Sequence, residues 1–136
     1  MDPAPVRSAP QPDATTSAGA AAQRCDRPWG WFETLADGEG YRVKRLVLHA
    51  QQRLSLQRHH HRCEHWLVAC GDGLLELDGA LQTLAAGSSA TIPLGAVHRA
   101  SAGERGLVII ELQRGGLLSE DDIERLADDY GRINQC

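Results

Sequence analysis

The chain of 136 residues carries a formal net charge of −4, and 42% of its residues are hydrophobic. This length and composition suit one globular domain with a single core. The acidic balance disfavours general binding to nucleic acid or to an acidic membrane surface, so we expect neither partner. No apolar stretch reaches the roughly 18 residues that a membrane-spanning helix needs.

The N-terminal stretch and the cysteines bear on the cellular compartment. Before residue 24 the only basic side chain is Arg7, and no apolar run follows it, so this stretch does not resemble a secretory signal. The four cysteines form no C-x-x-C pair and are expected to be reduced thiols: Cys25, Cys63, Cys70 and Cys136. We therefore expect a cytoplasmic protein.

Composition divides the chain into a tail and a domain. Residues 1–26 are rich in Ala, Pro, Ser and Thr, which predicts a disordered N-terminal tail before a domain at 27–136. Within the domain, short β-rich segments alternate with turns, as is typical of an all-β sandwich or barrel. These segments are residues 29–35, 41–48, 54–61, 64–70, 74–77, 80–84, 88–92, 97–101 and 107–113.

Three glycine-containing stretches predict turns between these strands. Asp78-Gly79 is a strong two-residue hairpin signal. The tripeptide Gly71-Asp72-Gly73 and residues 103–106 are expected to reverse the chain as well.

The C-terminal region has a helical pattern instead. Ser119 is a candidate N-cap followed by acidic residues. Ile123, Leu126 and Ala127 have the spacing of one helical face, and Gly131 is a stop signal. We therefore expect a short α-helix that packs on the outside of the barrel and exposes its acidic side chains.

Metal-binding side chains are concentrated around one predicted strand. Imidazole, carboxylate and amide groups bind divalent metals of borderline hardness. Gln57, His59 and His61 would share one face of a strand. Glu64 would return to the same point if the chain turned near Arg62-Cys63 and ran back antiparallel. His98 is the expected fourth ligand, so the ligand set is Gln57, His59, Glu64 and His98, with His61 as the alternate to Gln57.

These residues match two motifs of the cupins, G-x5-H-x-H-x3,4-E-x6-G and G-x5-P-x-G-x2-H-x3-N. The second motif matches Gly87-x5-Pro93-x-Gly95-x2-His98, with Ala102 in place of the final Asn. The first motif matches Gln57-x-His59-x4-Glu64-x6-Gly71, with Gln57 in place of the first His and Gln51 in place of the leading Gly. The resemblance implies a double-stranded β-helix, also called a jelly-roll barrel.

The Gln-x-His start resembles the sugar-phosphate isomerase branch of the cupins. The run Leu54-Ser55-Leu56-Gln57 to His65-Trp66 is similar to the type II mannose-6-phosphate isomerase domain, and the similarity extends over roughly residues 27–132. That domain is usually the C-terminal part of a bifunctional enzyme with mannose-1-phosphate guanylyltransferase activity. Since no phosphate-cradling Gly-rich loop is present, we expect no guanylyltransferase activity from this chain.

The resemblance implies interconversion of mannose 6-phosphate and fructose 6-phosphate for nucleotide-sugar and polysaccharide synthesis. The sugar phosphate would be the partner, and a divalent metal the cofactor: zinc first, with manganese, cobalt, iron or nickel as alternatives. Lys44, Arg62 and Arg132 are the expected cations for the phosphate and the developing negative charge, and Arg99 is a weaker candidate. Glu111 is the first candidate for the proton-transfer base, followed by Lys44 or His61.

Two other classes of function remain open from the sequence. A cupin can carry different metal chemistry, such as that of an iron(II) dioxygenase. The domain can also be a module that binds a sugar phosphate without turnover. A homodimer is possible for either class, because small cupins commonly pair through their barrel faces.

Overall fold

The computed structural model describes residues 23–133, which form nine β-strands and no α-helix. The strands are β1 Arg24–Arg27, β2 Gly30–Gly38, β3 Tyr41–Leu48, β4 Leu56–Arg58, β5 Arg62–Leu77, β6 Ala80–Ala85, β7 Ser89–Ile92, β8 His98–Gly115 and β9 Glu124–Ala127. All of them join antiparallel neighbours in one sheet, in the order β1-β2-β3-β8-β4-β9, with β5 bridging β6, β7 and β8. The prediction of an all-β fold is confirmed.

The two long strands, β5 and β8, pair along most of their length and form the frame of the barrel. The predicted turn at Gly71–Gly73 was wrong, because β5 runs through it with register shifts and the chain does not reverse. The predicted turn at 103–106 likewise lies inside β8. A β-bulge bends a strand and keeps it in the sheet, so glycine here curves the strands around the core.

The hairpin at Asp78-Gly79 is confirmed. Both residues have positive φ, 47° and 84°, as a type I′ turn requires. The pairing of Leu77 with Ala80 sets the register of β5 against β6.

The edge strand β1 begins before the predicted domain boundary. Arg24 pairs with Glu33 and Arg27 with Gly30, so residues 24–26, which were assigned to the tail, belong to the sheet. The rest of the predicted disordered tail, residues 1–22, lies outside the described residues.

The predicted C-terminal helix was wrong, although its start signal has a local counterpart. The hydroxyl oxygen of Ser119 accepts a hydrogen bond from the backbone N–H of Asp121, as an N-cap would. The chain then leaves the helical path, because the carboxylate of Asp122 accepts from backbone N–H groups of another segment. Residues 124–127 form β9, which pairs with β4 and satisfies its exposed edge.

The apolar core lies between the curled faces of the sheet. Its least exposed members include Trp66, Leu75, Ala100 and Ile109, all at 2% exposure or below. One end of the core opens into a pocket where buried side chains become polar and charged. No helix among residues 23–133 is long and apolar enough to cross a membrane.

Candidate metal centre

Three predicted ligands meet at the base of this pocket. His59, Glu64 and His98 each present one ligand atom, and these atoms lie within 4.8 Å of one another. The two carboxylate oxygens of Glu64 lie 3.4 Å from Nε2 of His59 and 3.3 Å from Nε2 of His98. All three side chains are at most 2% exposed.

The fold brings these ligands together from three separate segments. His59 follows the short strand β4, Glu64 is near the start of β5, and His98 begins β8. The predicted hairpin between the first ligand strand and β5 was wrong, because β4 pairs with β8 and β9. The pairing of Gln57 with His98 is what aligns β4 with β8 at the site.

Both histidines direct Nε2 toward Glu64 because their other ring nitrogen is engaged. Nδ1 of His59 lies 2.6 Å from the backbone carbonyl oxygen of Asp122. Nδ1 of His98 lies 3.0 Å from the carbonyl oxygen of Ala96. A carbonyl oxygen only accepts, so each Nδ1 carries the proton and each Nε2 keeps a lone pair. This is the arrangement that orients histidine ligands at metal sites.

The charges at the triad fit a divalent cation. Oε1 of Glu64 and Nε2 of His98 are buried atoms that form no hydrogen bond within residues 23–133, and a metal would satisfy both. Burial opposes the charged form of Glu64, yet His98, His59 and Arg62 outweigh it and lower its pKa below the usual range. Burial lowers the pKa of His59, so its imidazole is neutral and suited to ligation. For His98, burial is outweighed by Glu64, which raises its pKa.

Gln57 lies beside the triad and lines the same pocket. Its amide oxygen accepts a hydrogen bond of 2.7 Å from the Ser55 hydroxyl, and its Nε2 lies 3.4 Å from Nε2 of His59. An amide nitrogen does not ligate a metal. Rotating the amide by half a turn would direct its oxygen at the centre, since the Ser55 hydroxyl can also accept. Gln57 therefore stays a predicted ligand.

His61, the alternate ligand and alternate base, is exposed and does not line the pocket. The expectation that His59 and His61 share a strand face was wrong, because β4 ends at Arg58 and the chain bends through His60 and His61. Its backbone N–H, and not its ring, donates to the carboxylate of Asp122.

Glu111 lies in the pocket at 4% exposure. Its carboxylate accepts hydrogen bonds from Nε1 of Trp66 at 3.0 Å and from Nε2 of Gln113 at 2.8 Å. Burial and the nearby charge of Glu64 raise the pKa of Glu111 to about 8. A carboxyl group with a pKa near neutrality can both release and accept a proton.

The three predicted phosphate cations all line the pocket, and each contacts a carboxylate. Lys44 forms an ion pair with Glu120, and Nε of Arg62 donates to Glu64 at 3.1 Å. Arg132 forms a two-pronged pair with Asp128. The weaker candidate, Arg99, lies outside the pocket lining and donates to the backbone oxygens of Leu54 and Ala127.

The sequence did not predict several of the pocket residues, because they lie in stretches for which another structure or no particular role was predicted. Glu120 and Arg125 lie in the C-terminal stretch for which a solvated helix was predicted, and that helix does not form. Arg27 was included only as the first residue of the stretch 27–132 over which the resemblance extends. The pairing of β9 with β4 positions Arg125 at the pocket, and no local pattern in 119–131 indicates that pairing.

The barrel and its His–Glu–His centre define this chain as a cupin. Solved structures share the fold at low identity. An RmlC-like cupin from Shewanella frigidimarina NCIMB 400 superposes with a TM-score of 0.66 at 19% identity, covering 76% of this chain and 90% of that one. Oxalate decarboxylase from Bacillus subtilis gives a TM-score of 0.70 at 17% identity, over 77% of this chain and 30% of that one.

The particular family follows from the sequence match. The model of the family described as mannose-6-phosphate isomerase C-terminal matches residues 15–128, and the chain belongs to that family. It is 43% identical over 108 residues to the mannose-1-phosphate guanylyltransferase of Escherichia coli (strain K12), which covers 79% of this chain and 23% of that protein. It is 46% identical over 107 residues to the alginate biosynthesis protein AlgA of Pseudomonas aeruginosa, and the alignment covers 78% of this chain and 22% of that protein. The chain thus spans about a quarter of the length of these relatives.

Proposed function

We propose that this chain is a metal-dependent aldose–ketose isomerase that interconverts mannose 6-phosphate and fructose 6-phosphate. The observation that carries the proposal is the position of Glu111, whose pKa is raised to about 8 by burial and by Glu64, in the same pocket as the His59–Glu64–His98 triad. Membership of the isomerase C-terminal family supports the choice of substrate.

Glu111 is the proton carrier in this mechanism. As a carboxylate it takes the proton from C2 of the open-chain aldose, and as a carboxylic acid it returns the proton to C1. A second proton passes from the hydroxyl on C2 to the oxygen on C1, so that the C1 carbonyl becomes a hydroxyl and the C2 hydroxyl becomes a carbonyl. The indole N–H of Trp66 and the amide of Gln113 hold its oxygens in place between the two transfers. A pKa of about 8 suits both directions, because neither protonation state is strongly favoured near neutral pH.

His59, Glu64 and His98 would hold the divalent metal, with Gln57 as a further ligand. When bound, the metal supplies Lewis-acid stabilisation of the negative charge that develops on the substrate oxygens. Arg62 is buried beside the triad, with Nη2 at 3.3 Å from Nε2 of His59. Its fixed positive charge lies where it can stabilise the same negative charge. The chemistry of the donor set admits zinc, manganese, cobalt, iron or nickel.

The test measures formation of fructose 6-phosphate from mannose 6-phosphate in a coupled assay. The protein is chelated and then restored with zinc, manganese or cobalt. We expect turnover only after restoration, with none in His59→Ala and a loss of about 100-fold or more in Glu111→Gln. His61→Ala is the matched control, since this exposed neighbour lies outside the pocket, and it should retain activity.

A second readout isolates the proton transfer. In deuterated buffer, the restored protein should exchange the C2 hydrogen of mannose 6-phosphate, and Glu111→Gln should not. Stoichiometric metal binding without turnover or exchange would contradict the isomerase and leave a binding module. Oxygen uptake by the iron-loaded protein would instead indicate dioxygenase chemistry.

A further inference from the structure

Two arginines of the pocket belong neither to the predicted phosphate set nor to the proposed proton transfer. Arg27 is the last residue of β1, and Arg125 lies in β9, and both line the pocket. These strands stand at opposite ends of the order β1-β2-β3-β8-β4-β9. The curled sheet therefore brings its two edges to one pocket, and each edge contributes a guanidinium group.

Arg27 is exposed, and its guanidinium group lies near the ring of Phe32, which Lys44 also approaches. Its guanidinium carbon lies 5.0 Å from the centre of the Phe32 ring, and Nζ of Lys44 lies 4.4 Å from the same centre. Among the described residues Arg27 forms no ion pair, and its one hydrogen bond goes to the backbone oxygen of Asp26 at 2.9 Å. Most of its donors are thus available to a ligand on the pocket side.

Arg125 is half-buried in a positive environment. Burial, together with the charges of Arg132 and Arg27, lowers the pKa of Arg125, while Asp128 opposes the shift. The guanidinium groups of Arg27 and Arg132, which line the same pocket, therefore both act on Arg125 with like charge. Such a cluster is stabilised when an anion binds among its members.

The charge of the whole pocket supports an anionic ligand. Among the described residues five basic and three acidic side chains line it, a formal excess of two positive charges that becomes larger when Glu111 is protonated. The basic residues are Arg27, Lys44, Arg62, Arg125 and Arg132, and the acidic residues are Glu64, Glu111 and Glu120. A phosphate monoester, close to a dianion near neutral pH, has the matching charge and the oxygen geometry that a guanidinium fork binds.

We propose that Arg27 and Arg125 clamp the phosphate group of the substrate between the two edges of the sheet. This inference rests on the proposed function for the identity of the substrate. It adds two residues to the predicted set of Lys44, Arg62 and Arg132, because both line the pocket from opposite edges of the sheet. The clamp places the phosphate in the pocket that also holds the triad and Glu111.

The test titrates inorganic phosphate into the full-length chain and measures binding by calorimetry. Zinc-loaded and chelated protein are compared, because phosphate can also bind zinc directly. In both states we expect Arg27→Ala and Arg125→Ala to weaken binding by about tenfold or more, the effect of losing one charge-assisted hydrogen bond. Arg24→Ala is the matched control, since Arg24 lies on the same strand but outside the pocket lining.

Further measurements distinguish a failure of the clamp from a failure of the proposed function. If both variants bound phosphate as tightly as the wild type, or if acetate bound as well as phosphate, the clamp would be refuted. Arg125→Lys should keep part of the affinity and guards against a folding defect in Arg125→Ala. Loss of phosphate affinity in the variants without any isomerase turnover would support the clamp and contradict the proposed function. Turnover with an unchanged KM in Arg27→Ala would refute the clamp and retain the function.

Discussion

The backbone carbonyl of Asp122 and the ring of His59 are joined at 2.6 Å, across 63 positions of sequence. The side chain of Asp122 strengthens the same junction, because its two oxygens accept the backbone N–H groups of His60 and His61, each at 2.9 Å. One residue of the C-terminal segment thus orients a ligand ring and holds the loop that carries it.

Replacing Asp122 should weaken metal binding without removing a ligand. In Asp122→Ala the loop at His60 and His61 loses both side-chain acceptors, so the orientation of His59 becomes less defined. We expect zinc affinity to fall by about 10- to 100-fold, as for other outer contacts of metal ligands. Competition with a chromophoric chelator measures this affinity.

Asp122→Asn and Asp121→Asn are the companions to that variant. An Asn at 122 keeps one acceptor and should give an intermediate loss. Asp121 is exposed and contributes only its backbone N–H to Ser119, so its substitution should leave zinc affinity unchanged. Unchanged affinity in Asp122→Ala would refute the positioning role.

Glu111 should make the chelated protein less stable as pH rises. Its pKa is about 8 in the folded state against an ordinary value of 4.5, so between these values the folded protein retains a proton that the unfolded chain releases. Linkage then lowers the free energy of unfolding by up to about 1.4 kcal/mol per pH unit in this window, and the penalty is absent below it.

Glu111→Gln removes that slope, so its advantage over the wild type should grow between pH 5.5 and pH 8. Denaturant unfolding of the chelated proteins at several pH values measures the difference. Glu104→Gln, at an exposed position outside the pocket, should run parallel to the wild type. A constant difference between Glu111→Gln and wild type across this range would contradict the raised pKa.

Gln51 stands where the cupin motif has glycine, and it adopts a positive φ of 64°. That conformation is strained for any residue with a Cβ. We expect Gln51→Gly to stabilise the protein by about 0.5–1 kcal/mol, since relief of strain outweighs the greater freedom of glycine in the unfolded chain. Gln51→Ala keeps the Cβ and should not stabilise. Thermal unfolding with equal metal loading compares the two, and an equal gain in both would contradict the strain.

Gly73 allows the close approach of β5 and β8. A Cβ at this position would collide with the backbone carbonyl of Ser101, while a Cβ at Gly116 would meet open space. We expect Gly73→Ala to lower the free energy of unfolding by about 1–3 kcal/mol, as for overpacked sites, and Gly116→Ala to change it by less than about 0.5 kcal/mol. Similar stability of the two variants by denaturant unfolding would show that β5 and β8 can separate locally.

Short-range patterns in the sequence were reliable where one local interaction decides the structure. The alternation in residues 41–48 predicted β3 with its observed bounds, and Asp78-Gly79 predicted its hairpin. Motif spacing also selected His59, Glu64 and His98, because their separations match the end of β4 and the starts of β5 and β8. In these cases the backbone conformation follows from residues a few positions apart.

The predictions of a helix and of turns failed where pairing with a distant strand outweighs the local conformational preference of the residues. Residues 119–131 carry genuine helix signals, yet Asp122 bonds to the backbone at His60 and His61, and β9 covers the edge of β4. The glycines of 71–73 and 103–106 resemble turns, but pairing between β5 and β8 continues past them.

By itself, the sequence determined the fold class, the family and the three acidic and imidazole side chains of the centre, since each depends on residue type and local spacing. Only the tertiary structure decided what surrounds that centre. The tautomer of His59, the raised pKa of Glu111 and the meeting of Arg27 with Arg125 depend on burial and on contacts between segments far apart in the chain. Those contacts form because the sheet curls and brings its two edge strands to one pocket, and no local pattern encodes that curvature.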